Sequence, residues 1–182
     1  MSYRLRPQCL LRTPQLLKIR SYRGAREIGA DVIVRITSDC PLIDPDVSDH
    51  AIREFLEKGP DYASNTLERT YPRGLDTEVI QFSALECAWR EADKPYQRVH
   101  VTPYLYQNLG RCRLLSIKFR TDYSAGRWTL DTAEDLEFLQ AVFLRFGGSS
   151  NFGWLEVVNL LEQEPTLSNI NQHIRQKALH EG

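Results

Sequence analysis

From position 31 onward the hydrophobic positions alternate between short β-branched runs and stretches of helical period. Asp31-Val32-Ile33-Val34-Arg35-Ile36-Thr37 reads as a buried strand, since a short run rich in Val and Ile suits a pleated surface. Asp44-Pro45 then supplies a side-chain cap and a proline for the first helical position. A helix to about residue 58 follows, with Val47, Ala51, Ile52, Phe55 and Leu56 at helical spacing. Residues 61–65 read as a second short strand, residues 66–74 as a loop carrying Pro72 and Gly74, and residues 77–82 as a third strand.

Ser83 and Glu86 have capping-box spacing and predict a helix through residue 91, and a further helix is expected over residues 98–107, blurred by Pro103. Residues 112–119 and 127–130 read as strands. Thr132 with Asp135 caps a long helix to about residue 146, ended by Gly147-Gly148, and residues 154–161 and 168–179 read as amphipathic helices. Strands alternating with helices predict a layered α/β domain on a largely parallel sheet.

Charge adds an asymmetry that the pattern does not show. The 23 basic and 24 acidic residues nearly cancel, yet seven of the basic ones, Arg4 to Arg26, precede the first acid, Glu27. The remainder is therefore clearly acidic, which argues against nucleic acid as the main partner, because phosphate backbones need basic surface. The basic head has the composition of a nucleic-acid arm or a transit peptide, but Pro7 and Pro14 oppose the helix a transit peptide uses. No apolar stretch approaches a membrane span, and Cys9, Cys40, Cys87 and Cys112 form no CxxC pair, so a cytoplasmic protein with reduced thiols is expected.

Three segments carry candidate chemistry. Asp39, in Ser38-Asp39-Cys40-Pro41, directly follows the first strand, where α/β sheets place their ligands. Asp131, in Trp128-Thr129-Leu130-Asp131, lies at a second strand-to-helix junction. Mg²⁺ takes one or two carboxylates plus phosphate oxygens and water, and these aspartates offer two. Asp39 also suits a plain turn cap, and Asp135 is assigned to capping. Between them Tyr71-Pro72-Arg73-Gly74-Leu75-Asp76-Thr77-Glu78 offers an arginine fork, a glycine permitting close backbone approach, and two acids expected on one strand face. This set suits a hydroxylated, acidic small molecule, or equally an exposed ion-pair network. Arg98 and His100 form another polar cluster beside aromatics, where a structural histidine is the commoner case.

Together, residues 34–45, 65–78, 100–104 and 127–136 resemble, in order and at natural spacing, the SpsF-type spore-coat-polysaccharide members of the cytidylyltransferase family. Their relatives make CMP-sialic, CMP-pseudaminic and CMP-Kdo sugars. The resemblance runs from about residue 22 to 146, which divides the chain into an atypical basic segment (1–21), a cytidylyltransferase-like domain (22–146) and a helical extension (147–182).

The resemblance implies a Rossmann-like nucleotide-diphospho-sugar transferase fold (GT-A-like), incomplete at its N-terminus. It implies transfer of CMP from CTP to the hydroxyl of an acidic, nonulosonic-acid-like sugar, with Mg²⁺ held by Asp39 and Asp131. Arg73, Gly74, Asp76, Glu78, Arg98 and His100 would line the sugar side. Two departures stand out: residues 1–20 hold nothing like the family's triphosphate-gripping loop, and family members carry further βα structure ahead of the region matched at residue 22. A smaller one is Val99, where glutamate is common. The expectation is therefore an N-terminally truncated chain, inactive alone. Glycosyl transfer from a ready-made nucleotide sugar and a non-catalytic binding or assembly remnant are the alternatives, and the oligomeric state is left open, a homodimer included.

Overall fold

The computed structural model describes residues 17–99, 102–108 and 110–176, without the side chains of residues 17–20, 98 and 99. The elements run α1 (Leu17–Ile28), β1 (Val32–Arg35), α2 (Pro45–Lys58), β2 (Tyr62–Ser64), β3 (Glu78–Gln81), α3 (Phe82–Glu91), α4 (Pro95–Val99), α5 (Pro103–Gln107), β4 (Leu114–Ser116), α6 (Ala133–Arg145) and α7 (Trp154–Gln163). A 3-10 turn follows at Pro165–Ile170. Among the described residues no helix is long and apolar enough to cross a membrane.

The four strands lie in the order β1-β3-β2-β4. β1, β2 and β4 point the same way, but β3 is antiparallel to both its neighbours, so only β2–β4 is a parallel ladder. The largely parallel sheet expected from the alternation is thus corrected. The connection over residues 65–77 contains no helix, and a parallel return needs a crossover of that kind.

Strand alternation divides the interior into two faces. Ala63 and Val79 point towards Ala51 and Phe55 of α2, while Tyr62 and Ile80 point towards Leu85 and Ala88 of α3 and Leu105 of α5. A third cluster lies outside the sheet, where Leu75 and Trp128 meet Phe138, Leu139 and Val142 of α6 and Trp154, Val157 and Val158 of α7. Beyond residue 147, Trp154, Val157 and Val158 are therefore packed into the core. α1 crosses the boundary expected at residue 21, with Tyr22 stacked on Trp89 at 4.4 Å.

Local signals account for the two helices that frame the strand tips. Asp44 Oδ1 accepts from the N–H groups of Asp46 and Val47 at 2.8 and 3.2 Å, and Gly59 closes α2 at φ 60°. The second oxygen of Asp44 accepts from the Trp154 N–H at 2.8 Å, so one carboxylate caps α2 and α7 together. Thr132 and Asp135 form the expected capping box on α6. The Ser83–Glu86 box does not form: α3 starts at Phe82 directly out of β3, and Glu86 accepts instead from Tyr22 and Arg90. The single helix expected over residues 98–107 is two short ones, the second led by Pro103, and the helix expected from residue 168 is a 3-10 turn. The expected strand at 127–130 reduces to a single bridge between Arg73 and Arg127.

Candidate functional site

Three loop segments lie side by side next to β1. The first, residues 37–41, follows the strand's last residue, Arg35. The Asp39 carbonyl accepts from the Leu130 N–H at 2.9 Å, which sets Asp131 one residue from Asp39's backbone. Arg73 joins the third segment from both sides: its N–H donates to the Gly126 carbonyl at 2.9 Å, and its carbonyl accepts from the Trp128 N–H at 2.8 Å. Gly74 is required at this seam. Its φ is +102°, and a Cβ there would lie 2.7 Å from the backbone C and O of Trp128. Its close approach is thus to the neighbouring loop. Buried Asn65 shapes the same loop from behind, donating to the Leu75 carbonyl at 2.7 Å and accepting from the Thr77 N–H at 2.9 Å.

The charged side chains on these segments fall into three groups. In the first, Arg127 donates Nε and Nη2 to the two oxygens of Asp135 at 2.9 and 2.8 Å, Nη2 also to Asp131 at 2.8 Å, and Nη1 to Gln176 at 2.7 Å. Asp135 is fully buried and also accepts from Asn171 and from the N–H groups of Asp131 and Thr132. Burial alone would raise its carboxyl, but the bonds from Arg127, Asn171 and the Asp131 N–H outweigh it and hold the group at about 2. Asp131 is more open, 43% exposed, and both Arg127 and Thr129 bind its Oδ2. Among the described residues its Oδ1 has no partner.

The second group surrounds Arg73. Arg69 grips both oxygens of Asp76, at 2.6 and 2.9 Å. Half-buried Arg73 makes no side-chain hydrogen bond or ion pair among the described residues. Burial lowers its affinity for its proton, the positive neighbours Arg69 and Arg127 add to that, and nearby Asp76 opposes it. Among the described residues the carboxylate of half-buried Asp39 accepts only from the Cys40 thiol, at 3.7 Å. That thiol is pushed up to about 11, chiefly by burial. A Thr37 contact at 3.1 Å partly offsets the rise, and the carboxylates of Asp39 and Asp76 add to it. Asp39 and Asp76 therefore share one neighbourhood.

Glu78 belongs to the third group, apart from Asp76 despite the two-residue spacing. The β1–β3 register sets it opposite Arg35, which pairs with it, while Tyr62 and Thr102 each donate to it at 2.7 Å. Burial and the Glu78 charge push the Tyr62 phenol well up. With both oxygens occupied inside the fold, Glu78 fastens the start of α5 to the sheet. Arg98 lies in α4 with its side chain outside the described residues, as is all of His100.

The sequence reading did not single out Arg69, Arg127 or Asn171. Arg127 precedes Asp131 and Asp135 at helical spacing, a pairing signal that was there to be read. Asn171 carried none. Among the described residues no three His, Cys, Asp or Glu side chains converge to hold a metal ion. Two carboxylates on adjoining tips fit the sparser protein share of a Mg²⁺–phosphate site.

A sequence model of the Cytidylyltransferase family matches residues 8–169. An uncharacterized protein of Methanocaldococcus jannaschii is 33% identical over 165 residues, covering 89% of this chain and 66% of that protein. The Bacillus subtilis spore coat polysaccharide biosynthesis protein SpsF is 30% identical over 161 residues, covering 80% of this chain and 66% of SpsF. A solved cytidylyltransferase structure from Leptospira borgpetersenii superposes with a TM-score of 0.81 at 31% identity, over 88% of this chain and 67% of that one. The chain thus spans 66% of the length of the two curated relatives. With a matching family model and a matching fold, the chain belongs to the cytidylyltransferase family.

Proposed function

We propose that this fold serves CMP transfer from CTP to a hydroxyl of an acidic, nonulosonic-acid-like sugar, in the assembly of a surface polysaccharide in the cytoplasm. The observation that carries the reading is the Leu130 N–H to Asp39 carbonyl bond, which sets two carboxylate-bearing tips side by side. In the reaction a sugar hydroxyl oxygen bonds to the α-phosphorus of CTP, the bond to the β-phosphate bridge breaks, and pyrophosphate leaves with its electron pair. Such a transfer needs positioning and charge neutralisation rather than a covalent intermediate. Mg²⁺ would supply charge stabilisation at the phosphates.

Asp39 and the open Oδ1 of Asp131 are the groups to hold that ion. Arg73 faces the substrate with an uncommitted fork, Gly74 keeps its loop against the Trp128 strand, and Asp76 is placed to accept from a hydroxyl. Arg98 and His100 remain on the sugar side in this reading, and Glu78 supports it from within.

The test is pyrophosphate release from CTP and Mg²⁺ over a panel of nonulosonic acids, run on this chain and on the intact Bacillus subtilis relative. We expect release by the relative, and any release by this chain to fall to background in Asp39→Asn. Consumption of a ready-made nucleotide sugar without pyrophosphate would instead establish glycosyl transfer.

A further inference from the structure

Antiparallel pairing sends alternate backbone groups to opposite edges of a strand. The Phe82 N–H donates to the Asp31 carbonyl at 2.8 Å, and the register sets Ile33 opposite Ile80 and Arg35 opposite Glu78. The backbone groups of residues 31, 33 and 35 therefore face β3, and the N–H and C=O of Val32 and Val34 face the other way. β1 is the outermost strand, so among the described residues those groups meet no further strand. The edge is apolar, with Val34 and Ile36 still 41% and 46% exposed. Proline and lysine, which commonly blunt such an edge, are absent from residues 32–35. At the sheet's other edge β4 is only three residues long, with Lys118 two positions beyond it.

We propose that the outer edge of β1 pairs with the same edge of a second copy of this chain, antiparallel about a twofold axis at Ile33. A second copy fits because the edge complements itself when reversed. In that register Val32 and Val34 exchange backbone bonds with Val34 and Val32 of the other copy, which uses all their outward N–H and C=O groups together. Asp31 then stands opposite Arg35 of the other copy, and Arg35 opposite its Asp31, an opposite-charge pair made twice. Exposed Asp31 makes no side-chain bond among the described residues, and Arg35 uses only Nη1 on Glu78, so its other nitrogens are there to donate. A slip of two residues loses both charge pairs. The pairing sets the two loops over residues 37–41 at opposite ends of one joined sheet. A four-residue edge is small against the roughly 1,200 Å² of a stable interface, so a weak dimer is expected, with a Kd on the order of 100 µM.

The experiment is sedimentation velocity on the whole chain from about 5 to about 500 µM, a range that brackets the weak dimer expected. Passage from monomer to dimer is expected across it. Asp31→Lys sets like charges opposite each other twice and is expected to weaken the dimer about 10-fold or more. Asp31 is exposed and has no side-chain partner to lose, so the fold is kept, as circular dichroism checks. Val34→Pro removes an N–H that bonds nothing within one copy and is expected to weaken the dimer by a similar factor of about 10. Ile33→Cys is expected to cross-link two copies under mild oxidation beyond the level of the unsubstituted chain, because the twofold brings its two Cβ atoms within disulfide reach.

A monomer at every concentration overturns the proposal, and so does a dimer that Asp31→Lys leaves unweakened, since its interface then lies elsewhere. No cross-link above background at Ile33→Cys overturns the register. Hydrogen exchange separates a second copy from a segment of the same chain lying on the edge. The Val32 and Val34 amides are expected to gain protection only as concentration rises, and equal protection at every concentration would overturn the pairing between copies.

Discussion

Arg127 and Arg73 are bridged through their backbones, yet their guanidinium groups are placed in opposite ways. Arg127, 8% exposed, has all three guanidinium nitrogens bonded, to Asp135, Asp131 and Gln176. Among the described residues Arg73 has no side-chain partner, and the Asp39 carboxylate, on the adjoining tip, accepts only a thiol. Ionic chemistry is similar in kind on the two sides, so charge alone does not distinguish scaffold from site. Saturation does. A buried ion pair with all its bonds made holds loops in place, whereas a preorganised charge without a partner is set for a ligand.

The contrast is sharpest in stability. Arg127→Ala leaves Asp135 buried and uncompensated, and is expected to cost roughly 3–5 kcal/mol in urea unfolding. A cost under about 1 kcal/mol would erase the distinction drawn here. Gly74→Ala forces a Cβ against the Trp128 backbone at a φ that L-residues rarely adopt. A loss of about 2–4 kcal/mol is expected, read by the same unfolding curve.

Acid tests the scaffold side alone. The Asp135 carboxyl titrates at about 2 in the folded protein, below the ordinary 3.8, so the unfolded chain binds the proton more readily. That difference contributes about 2 kcal/mol, present in full above pH ~4 and lost as pH falls through ~2. Asp135→Asn should flatten this part of the pH–stability profile, and an unchanged slope would assign it to other groups. On the site side, Arg73→Gln and Asp39→Asn are expected to change stability by no more than about 0.5 kcal/mol, because neither removes a made ion pair. A loss above about 2 kcal/mol in either would make it scaffold.

The sequence disclosed what is local. Asp44-Pro45 and the Thr132–Asp135 pair fixed where α2 and α6 begin, because a cap acts within one turn. The strand cores over residues 32–35 and 78–81 were legible from β-branched runs, but the direction of β3 was not, since it depends on what the connecting loop leaves out. Ser83 and Glu86 had the spacing of a capping box, yet Glu86 turned to Tyr22, 64 positions away.

The site divides in the same way. Asp39, Arg73, Asp76 and Asp131 could be chosen by residue type and position at strand ends. Glu78 could not be separated from Asp76 without the register that sets it opposite Arg35. Nor could the pairing of Arg69 with Asp76, which a loop without periodicity does not signal.

The measurement that bears most directly on the account is anomalous diffraction from crystals soaked in Mn²⁺, standing in for Mg²⁺, with CTP. The account predicts carboxylates of Asp39 and Asp131 within about 8 Å and a metal peak at ~2.1 Å from at least one oxygen of each, with Asp135 still bound to Arg127. Carboxylates more than ~12 Å apart, or a peak on other residues with both aspartates bare, would contradict it.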